Sequence, residues 1–286
     1  MRKFAPLLIA LALLVGCKQA AEPAKPAMWE VTGPKGEHGW LFGTIHVLER
    51  EADWRSPVVN RALNSADMLV LEIATIDDDA RTQQVFQSLA HSSGLPPLSQ
   101  RVDPALRPAL MKLLAGNRLA ENGFEDVETW AAALTLAQLA SKAGDANNGV
   151  DRALLKAAPQ LQRAELEGAR GQLSIFDRMP EEDQRDLLHA TLRDDPGEAG
   201  EDQLAQAWRT GDMEFLAKET HTGMLADPGL RKALFLDRNL AWQIQLEEML
   251  RQGRKPFVAV GAAHLAGPDG LPALLAAKRW KVVRVQ

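Results

Sequence analysis

Two histidines of this chain stand behind a glycine at the end of an apolar run of strand character. They are His46 in GWLFGTIHVL (39–48) and His264 in FVAVGAAHLA (257–266). A glycine at a strand end lets the backbone turn tightly or approach a ligand closely. Open α/β sheets bind ligands just beyond the carboxyl ends of their strands, so matching Gly-x-x-His segments can bring two imidazoles to one spot. The third residue with chemistry to offer is Glu72, which interrupts the apolar run MLVLEIA (68–74). A carboxylate there is costly to bury unless an arginine, a histidine or a metal ion pairs with it. Two histidines and one carboxylate suit a divalent cation with an open coordination position. The same three residues also make a metal-free acid/base set, with a neutral imidazole as base and Glu72 orienting it. Residue types alone do not choose between the two.

Other candidates carry less. Glu165 and Glu167 fall on alternate positions of an expected strand and would share a face. Arg238, in LDRNLAW, lies upstream of the second motif, where it could stabilise an anion or pair with Glu72. His38, His91, His189 and His221 fall in turn-like or polar helical contexts and receive no role. The chain has no H-E-x-x-H, no G-x-S-x-G and no phosphate-binding loop, which disfavours zincin, nucleophile-elbow and nucleotide chemistry.

The elements that would position these residues can be read along the chain. Residues 28–48 read as two strands around a turn at 33–36. Ser56 and Pro57 open a helix as N-cap and first helical residue, and residues 68–74 form a buried strand. The middle reads as mostly helical: a helix from Asp103-Pro104, an Ala/Leu-rich one over 127–144, and another over 149–158. A strand is expected over 160–167, then helices over 180–192, 201–208 and 212–220. Asp227-Pro228 caps a long helix reaching about Gln252, with Gly253 as its stop. A strand over 255–265, a helix over 270–279 and a strand over 280–286 close the chain. Strand, Gly-x-x-His, helix, strand thus occurs twice. The fold expected is α/β: a single domain, residues 28–286, whose central β-sheet carries both Gly-x-x-His strand ends, with a largely helical middle inserted as a cap over one face.

The first residues read differently. Arg2 and Lys3 precede an apolar stretch from Phe4 to Val15 that ends in Leu14-Val15-Gly16-Cys17. The stretch has the length of a signal-peptide core and is short for a bilayer span. Its end resembles the bacterial lipobox, which implies a lipoprotein signal peptide over 1–16 and acylation of Cys17. Cys17 is the only cysteine among 286 residues, so no intrachain disulfide forms and no catalytic thiol remains in the globular part. Residues 17–27 then serve as the acylated cysteine and a flexible tether. Lys18 after the cysteine implies, by the same resemblance, outer-membrane sorting, with the protein facing the periplasm. The formal net charge is −5 and no dense basic block occurs, which argues against a nucleic-acid partner.

The segments WLFGTIHVL, LVLEIA, GVDRALLKAA, DRNLAW and VAVGAAHLAGPDGLPALLAAKRWKVVRV together resemble the TraB/PrgY/GumN family, whose relatives include the Wnt-cleaving Tiki proteins. The resemblance covers nearly the whole chain from Trp29 to Val285. It implies a fold shared with erythromycin esterases and the haem-binding ChaN lipoproteins. It also implies a metal-dependent hydrolase site, carried over here to His46, Glu72 and His264. Arg238 and Asn239 match a family Arg-Asn pair, and ELEGARGQ matches a family segment that brings in Glu167 and Gln172. The animal relatives are anchored by a transmembrane segment, whereas this chain reads as lipid-anchored.

The expectation is a periplasm-facing, lipid-anchored metallohydrolase acting on a peptide or small molecule. His46, Glu72 and His264 would hold Mn, Co or Zn, Glu72 or a histidine would serve as base, and Arg238 would stabilise the oxyanion. The rivals are a lipoprotein that binds peptide or haem without turnover, for which no tyrosine exists as haem ligand, and a metal-free His/Glu esterase.

Overall fold

The computed structural model describes residues 21–140, 144–193 and 200–286. The expected signal peptide and Cys17 lie outside them. Among the described residues the chain forms strands β1 (Glu22–Pro23), β2 (Met28–Thr32), β3 (His38–Thr44) and β4 (Ala52–Asp53), then α1 (Pro57–Ser65), β5 (Met68–Leu71), α2 (Asp79–Leu89), α3 (Arg107–Gly116), α4 (Thr129–Ala140) and α5 (Val150–Ala157). It continues through β6 (Gln162–Glu165), α6 (Gly168–Asp177), α7 (Glu181–Leu192), α8 (Glu201–Thr210), α9 (Met213–Glu219), α10 (Pro228–Arg231), α11 (Asp237–Arg251), β7 (Pro256–Gly261), α12 (Leu271–Ala277) and β8 (Lys281–Arg284). The fold is mixed α/β around a six-stranded sheet of order β6-β5-β7-β3-β2-β8.

Strands β6, β5, β7 and β3 run parallel, while β2 is antiparallel to both β3 and β8. The two motif strands are direct neighbours, paired Gly43 to Val260 and Thr44 to Gly261, so the motifs sit side by side one residue out of step. In sequence, the strand that leads to Glu72 is the next long one after the first motif strand, but the two are not neighbours in the sheet. Instead β7 lies between β3 and β5, and β5 pairs with the second motif strand. All four parallel strands end at one edge of the sheet.

Alternation along the strands sorts their side chains onto two faces. Phe42, Leu69, Leu71, Phe257 and Ala259 meet α1, α5 and α8 through Val59, Leu63, Leu154 and Trp208. Leu41, Met68, Val70, Val258 and Val260 meet α11 and α12 through Trp242, Leu246, Leu271 and Leu275. Fully burying each such side chain is worth about 1.5–3 kcal/mol, which fixes the sheet and hence the edge on which the site is built. A third apolar cluster lies among helices alone, around Leu110, Leu114, Trp130, Leu136, Leu187 and Leu188. The helical middle is not one continuous insertion, because α5 and β6 return to the sheet between α4 and α6.

Several boundaries move. The helix expected from Asp103 begins at Arg107, and residues 103–106 form a turn closed by Leu106 N–H on the Asp103 carbonyl. The strand expected over 68–74 ends at Leu71, because the Glu72 carbonyl turns to accept the N–H groups of Glu167 and Gly168. Glu167 therefore is not on a strand with Glu165: β6 stops at Glu165 and Glu167 is the N-cap of α6. Residues 22–27, expected within the tether, are laid onto the fold. β1 pairs with β4, Ala24 and Ala27 are buried, and Glu22 bridges Arg209. Small Ala and Pro side chains in extended backbone fit this seam. Among the described residues no helix is long and apolar enough to cross a membrane.

Candidate active site

Each parallel strand delivers one site residue just past its carboxyl end: Glu167 after β6, Glu72 after β5, His264 after β7 and His46 after β3. Half of the His46 side chain is open to solvent, at 54%. Its Nδ1 lies 2.8 Å from Asp151 Oδ2, and Asp151 Oδ1 accepts a 2.7 Å bond from Thr44 Oγ1. Asp151 is buried on the apolar face of α5 with Val150, Leu154 and Leu155. The helix reaches the site because Val150 N–H bonds the Ile45 carbonyl and because position 149 is glycine. A Cβ there would stand 2.2 Å from the His46 carbonyl oxygen, closer than any side chain can approach. The Asp151 carboxylate raises His46 to about 9 against the opposing effect of burial, with Glu72 adding to the rise. Without a metal, Asp151 thus favours the imidazolium form of His46.

Glu72 is buried at 5% exposure. Its Oε1 accepts the Gly261 N–H at 2.8 Å, and its Oε2 accepts Arg238 Nη2 at 2.7 Å and Gln172 Nε2 at 3.3 Å. Burial pushes this carboxyl up, but His264, His46, Arg238 and the Gly261 N–H together bring it down to about 2. Near that pH both imidazoles carry protons, so they count among its cations.

His264 is also buried and sits on a 3₁₀ turn beyond β7 rather than on the strand itself. Asn239 Nδ2 donates to the Asp269 carbonyl at 2.8 Å, which leaves Asn239 Oδ1 to accept from His264 Nδ1–H at 2.7 Å. The tautomer is thereby set, and Nε2 is the acceptor that faces Arg238 Nη1 at 3.2 Å. Phe235 stacks on the imidazole at 5.4 Å between centroids and Trp242 lies at 4.5 Å. Burial in this aromatic setting holds His264 down at about 3, neutral through the physiological range.

One helix supplies the far wall. Phe235, Arg238, Asn239 and Trp242 follow the i, i+3, i+4, i+7 spacing of a single helical face. The face is set by a π-helical turn at Lys232–Leu236 between α10 and α11; such turns occur frequently at functional sites. Asp227 caps the start of this helix through Leu230 N–H, as the sequence predicts. Arg238 spreads its guanidinium over Glu167 (Nε and Nη2, both 2.9 Å), Glu72 and His264, and packs 4.6 Å over the Trp242 ring. Burial opposes its charge, and Glu167 and Glu72 more than offset this, raising its pKa.

The structure thus brings His46, Glu72, His264 and Arg238 together, with Asn239, Glu167 and Gln172 around them. Glu165 stands apart, tying the chain after Glu72 through Ala74 N–H. His38, His91, His189 and His221 bond elsewhere. Thr44 and Asp151 were missed. The available signal was an aspartate inside the apolar stripe of GVDRALLKAA.

The donor types fit a divalent ion. Both imidazoles have Nδ1 held by an oxygen partner, the usual arrangement for metal-ligating histidine. They also flank an open cradle: a Cβ on Gly261 would lie 3.4 Å from Glu72 Oε1, 3.6 Å from His46 Nε2 and 3.7 Å from His264 Cδ2. The three donor atoms are not yet gathered. Among the described residues the group within 4.8 Å of one another is Asp183, Asp186 and Asp227, and Arg238 covers His264 Nε2. A cavity of about 150 Å³ is lined by His46, Glu72, Ile76, Asp151 and Gln172.

The model of the TraB/PrgY/gumN family matches residues 27–284 of this chain. The chain is 28% identical over 254 residues to the uncharacterized protein YbaP of Shigella flexneri and likewise to that of Escherichia coli (strain K12), covering 86% of this chain and 90% of each relative. No solved structure matches it significantly.

Proposed function

The chain belongs to the TraB/PrgY/gumN family, and we propose that it is a metal-dependent hydrolase of peptide or related amide bonds. His46, Glu72 and His264 would hold a divalent ion such as Mn, Co or Zn. The observation that carries this reading is the pair of imidazoles whose Nδ1 atoms are held by Asp151 and Asn239, with Glu72 between them over Gly261. When bound, the ion supplies Lewis acidity, lowering the pKa of nearby water and polarising a substrate carbonyl.

The chain's own residues then divide the work. Asp151 and Asn239 orient the two imidazoles. Glu167 keeps Arg238 at the site when Arg238 releases His264 Nε2, and the freed guanidinium edge faces the developing oxyanion. With the two histidines as the main ligands, Glu72 would take the proton from the attacking water. The metal-free esterase is less favoured: a histidine held at about 9 by Asp151 is a poor base at neutral pH, and the neutral His264 has Arg238 on its free nitrogen.

The proposal extends to place. Arg2, Lys3, the apolar stretch to Val15 and the single Cys17 support a leader over 1–16 and a lipid on Cys17. The enzyme would be held at a bacterial membrane, the outer one facing the periplasm, by a link that ends where Glu22 joins the fold. Its partners would be the substrate and the membrane, with no nucleic acid. The test is metal content of the purified full chain beside His46→Ala and His264→Ala. Near-stoichiometric Mn, Co or Zn lost in both variants is expected, followed by hydrolysis that chelation abolishes. No binding after reloading sinks the metal mechanism, and a loaded protein inert toward peptides and esters points to the binding protein.

A further inference from the structure

The cavity of about 150 Å³ walled by His46 and Glu72 has an apolar side as well. Leu71, Ile73 and Ile76, branched aliphatic side chains from the end of β5 and the turn beyond it, complete the lining. Ile76 packs against one apolar cluster of the fold, but Ile73, half-buried, belongs to none of the three. His46 and Glu72 also flank the cradle over Gly261, whereas Gly261 and His264 do not line the cavity. It therefore lies beside the cradle rather than in it. The charges on its walls are already paired. Asp151 holds His46 and Thr44, and the two Glu72 oxygens have donors in Gly261, Arg238 and Gln172. Gln172 gives its amide N–H to Glu72, while its Oε1 has no partner among the described residues. The turn that carries the two isoleucines is tied down along its length. Ala74 N–H bonds Glu165 Oε2 at 3.2 Å, Asp77 faces Arg163 at 3.6 Å, and Asp79 meets Arg152, the neighbour of Asp151, at 2.7 Å.

We infer that this cavity is the specificity subsite of the centre, and that it seats a branched aliphatic side chain, such as that of valine or leucine, on the residue next to the hydrolysed amide. An apolar cavity of about this volume takes a molecule the size of benzene, which matches an isobutyl group and leaves no room for an indole. With no unpaired charge on its walls, the cavity offers a carboxylate or an ammonium nothing that offsets desolvation. Ligand sites of this kind join an apolar wall to a few polar groups that orient the occupant. Gln172 Oε1 supplies one here, an acceptor for the backbone N–H of the seated residue. The inference rests on the hydrolase reading only in calling the occupant a substrate.

Binding is therefore read without turnover, on the full chain with and without Zn, by the δ1-methyl chemical shifts of isoleucine. Of the six isoleucines in the chain two line the cavity, and Ile244 on α11, 66% exposed, serves as a remote control. The probes are acetyl-leucine methylamide and its glycine, glutamate and tryptophan counterparts. The leucine amide should move the Ile73 and Ile76 methyls, leave Ile244 still, and bind at least about tenfold tighter than each counterpart. Ile73→Trp fills the cavity from a position outside the apolar clusters, so it should keep the melting temperature and abolish binding. Ile73→Ala, which only enlarges the cavity, should narrow the gap between the leucine and tryptophan amides. Three outcomes overturn the inference: no movement of Ile73 and Ile76 with the leucine amide, equal binding of any counterpart, or unchanged binding in a folded Ile73→Trp. Turnover separates it from the hydrolase reading. An occupied cavity in a protein that hydrolyses nothing keeps the subsite, and a working hydrolase indifferent to leucine against glutamate loses it.

Discussion

Gly261→Ala separates the fold from the site at a single atom. The residue has φ −47° and ψ 130°, a conformation alanine adopts freely, and its N–H bond to Glu72 survives the change. The added methyl would lie 3.4 Å from Glu72 Oε1, 3.6 Å from His46 Nε2 and 3.7 Å from His264 Cδ2. These are ordinary contacts, so nothing must shift. Replacing glycine at a compatible position gains about 0.4–1 kcal/mol by restricting the unfolded chain. The melting temperature should stay level or rise by up to about 4 °C. The methyl nevertheless fills the cradle between the three donors, where metal–ligand bonds of about 2 Å leave no room for it. We therefore expect a folded, stable protein with metal affinity down by at least about 100-fold and no hydrolysis. Calorimetric titration with Mn, Co and Zn beside thermal melting reads both. Wild-type affinity in this variant would mean that no ion sits over Gly261, and a clear loss of melting temperature would mean that the steric reasoning is wrong.

Asp151→Asn should let His46 fall from about 9 toward its ordinary value, read by NMR titration, and weaken metal binding by about 10–100-fold; an unmoved His46 removes Asp151 from its role. In the metal-free protein, His264 and Glu72 are both depressed, to about 3 and about 2. Their stabilisation is full above the unfolded values, near 6.5 and 4.5, and is lost as pH falls toward the folded ones. Urea midpoints should therefore begin to drop below about pH 6.5, before carboxylates titrate, and His264→Gln should delay that onset. His46 acts oppositely: its contribution is present below about 6.5 and fades as pH rises through about 9. With half its ring in solvent, it is worth about 1 kcal/mol or less. Arg238→Met strands Glu72 and Glu167 in the interior and should cost about 3–5 kcal/mol by urea unfolding. Saturating divalent ion should recover part of that, and a variant as stable as wild type would show the pairing to be incidental.

Much of this site was readable because its chemistry is encoded locally. A glycine and a histidine at a strand end, or a glutamate inside an apolar run, are visible without neighbours. Arg238 and Asn239 were visible through the resemblance, and Asp227 announced its cap. What escaped was what depends on through-space packing. Asp151 looked like one more charge until α5 laid it under His46, 105 positions away in sequence. Glu167 was assigned to a strand because nothing local says that the chain turns at Leu166 to meet the Glu72 carbonyl. Strand order escaped for the same reason: local pattern says that β5 follows β3, and only the finished sheet shows β7 between them.

That placement governs when the molecule can exist. The strand that joins β3 to β5 lies near the carboxyl terminus, so a nascent chain released up to α11 holds two sheet fragments with no bridge between them. Late, long-range closure of this kind makes folding slow and all-or-none with respect to the site. His46 and Glu72, made early, stay unassembled until the end of the chain arrives with Gly261 and His264.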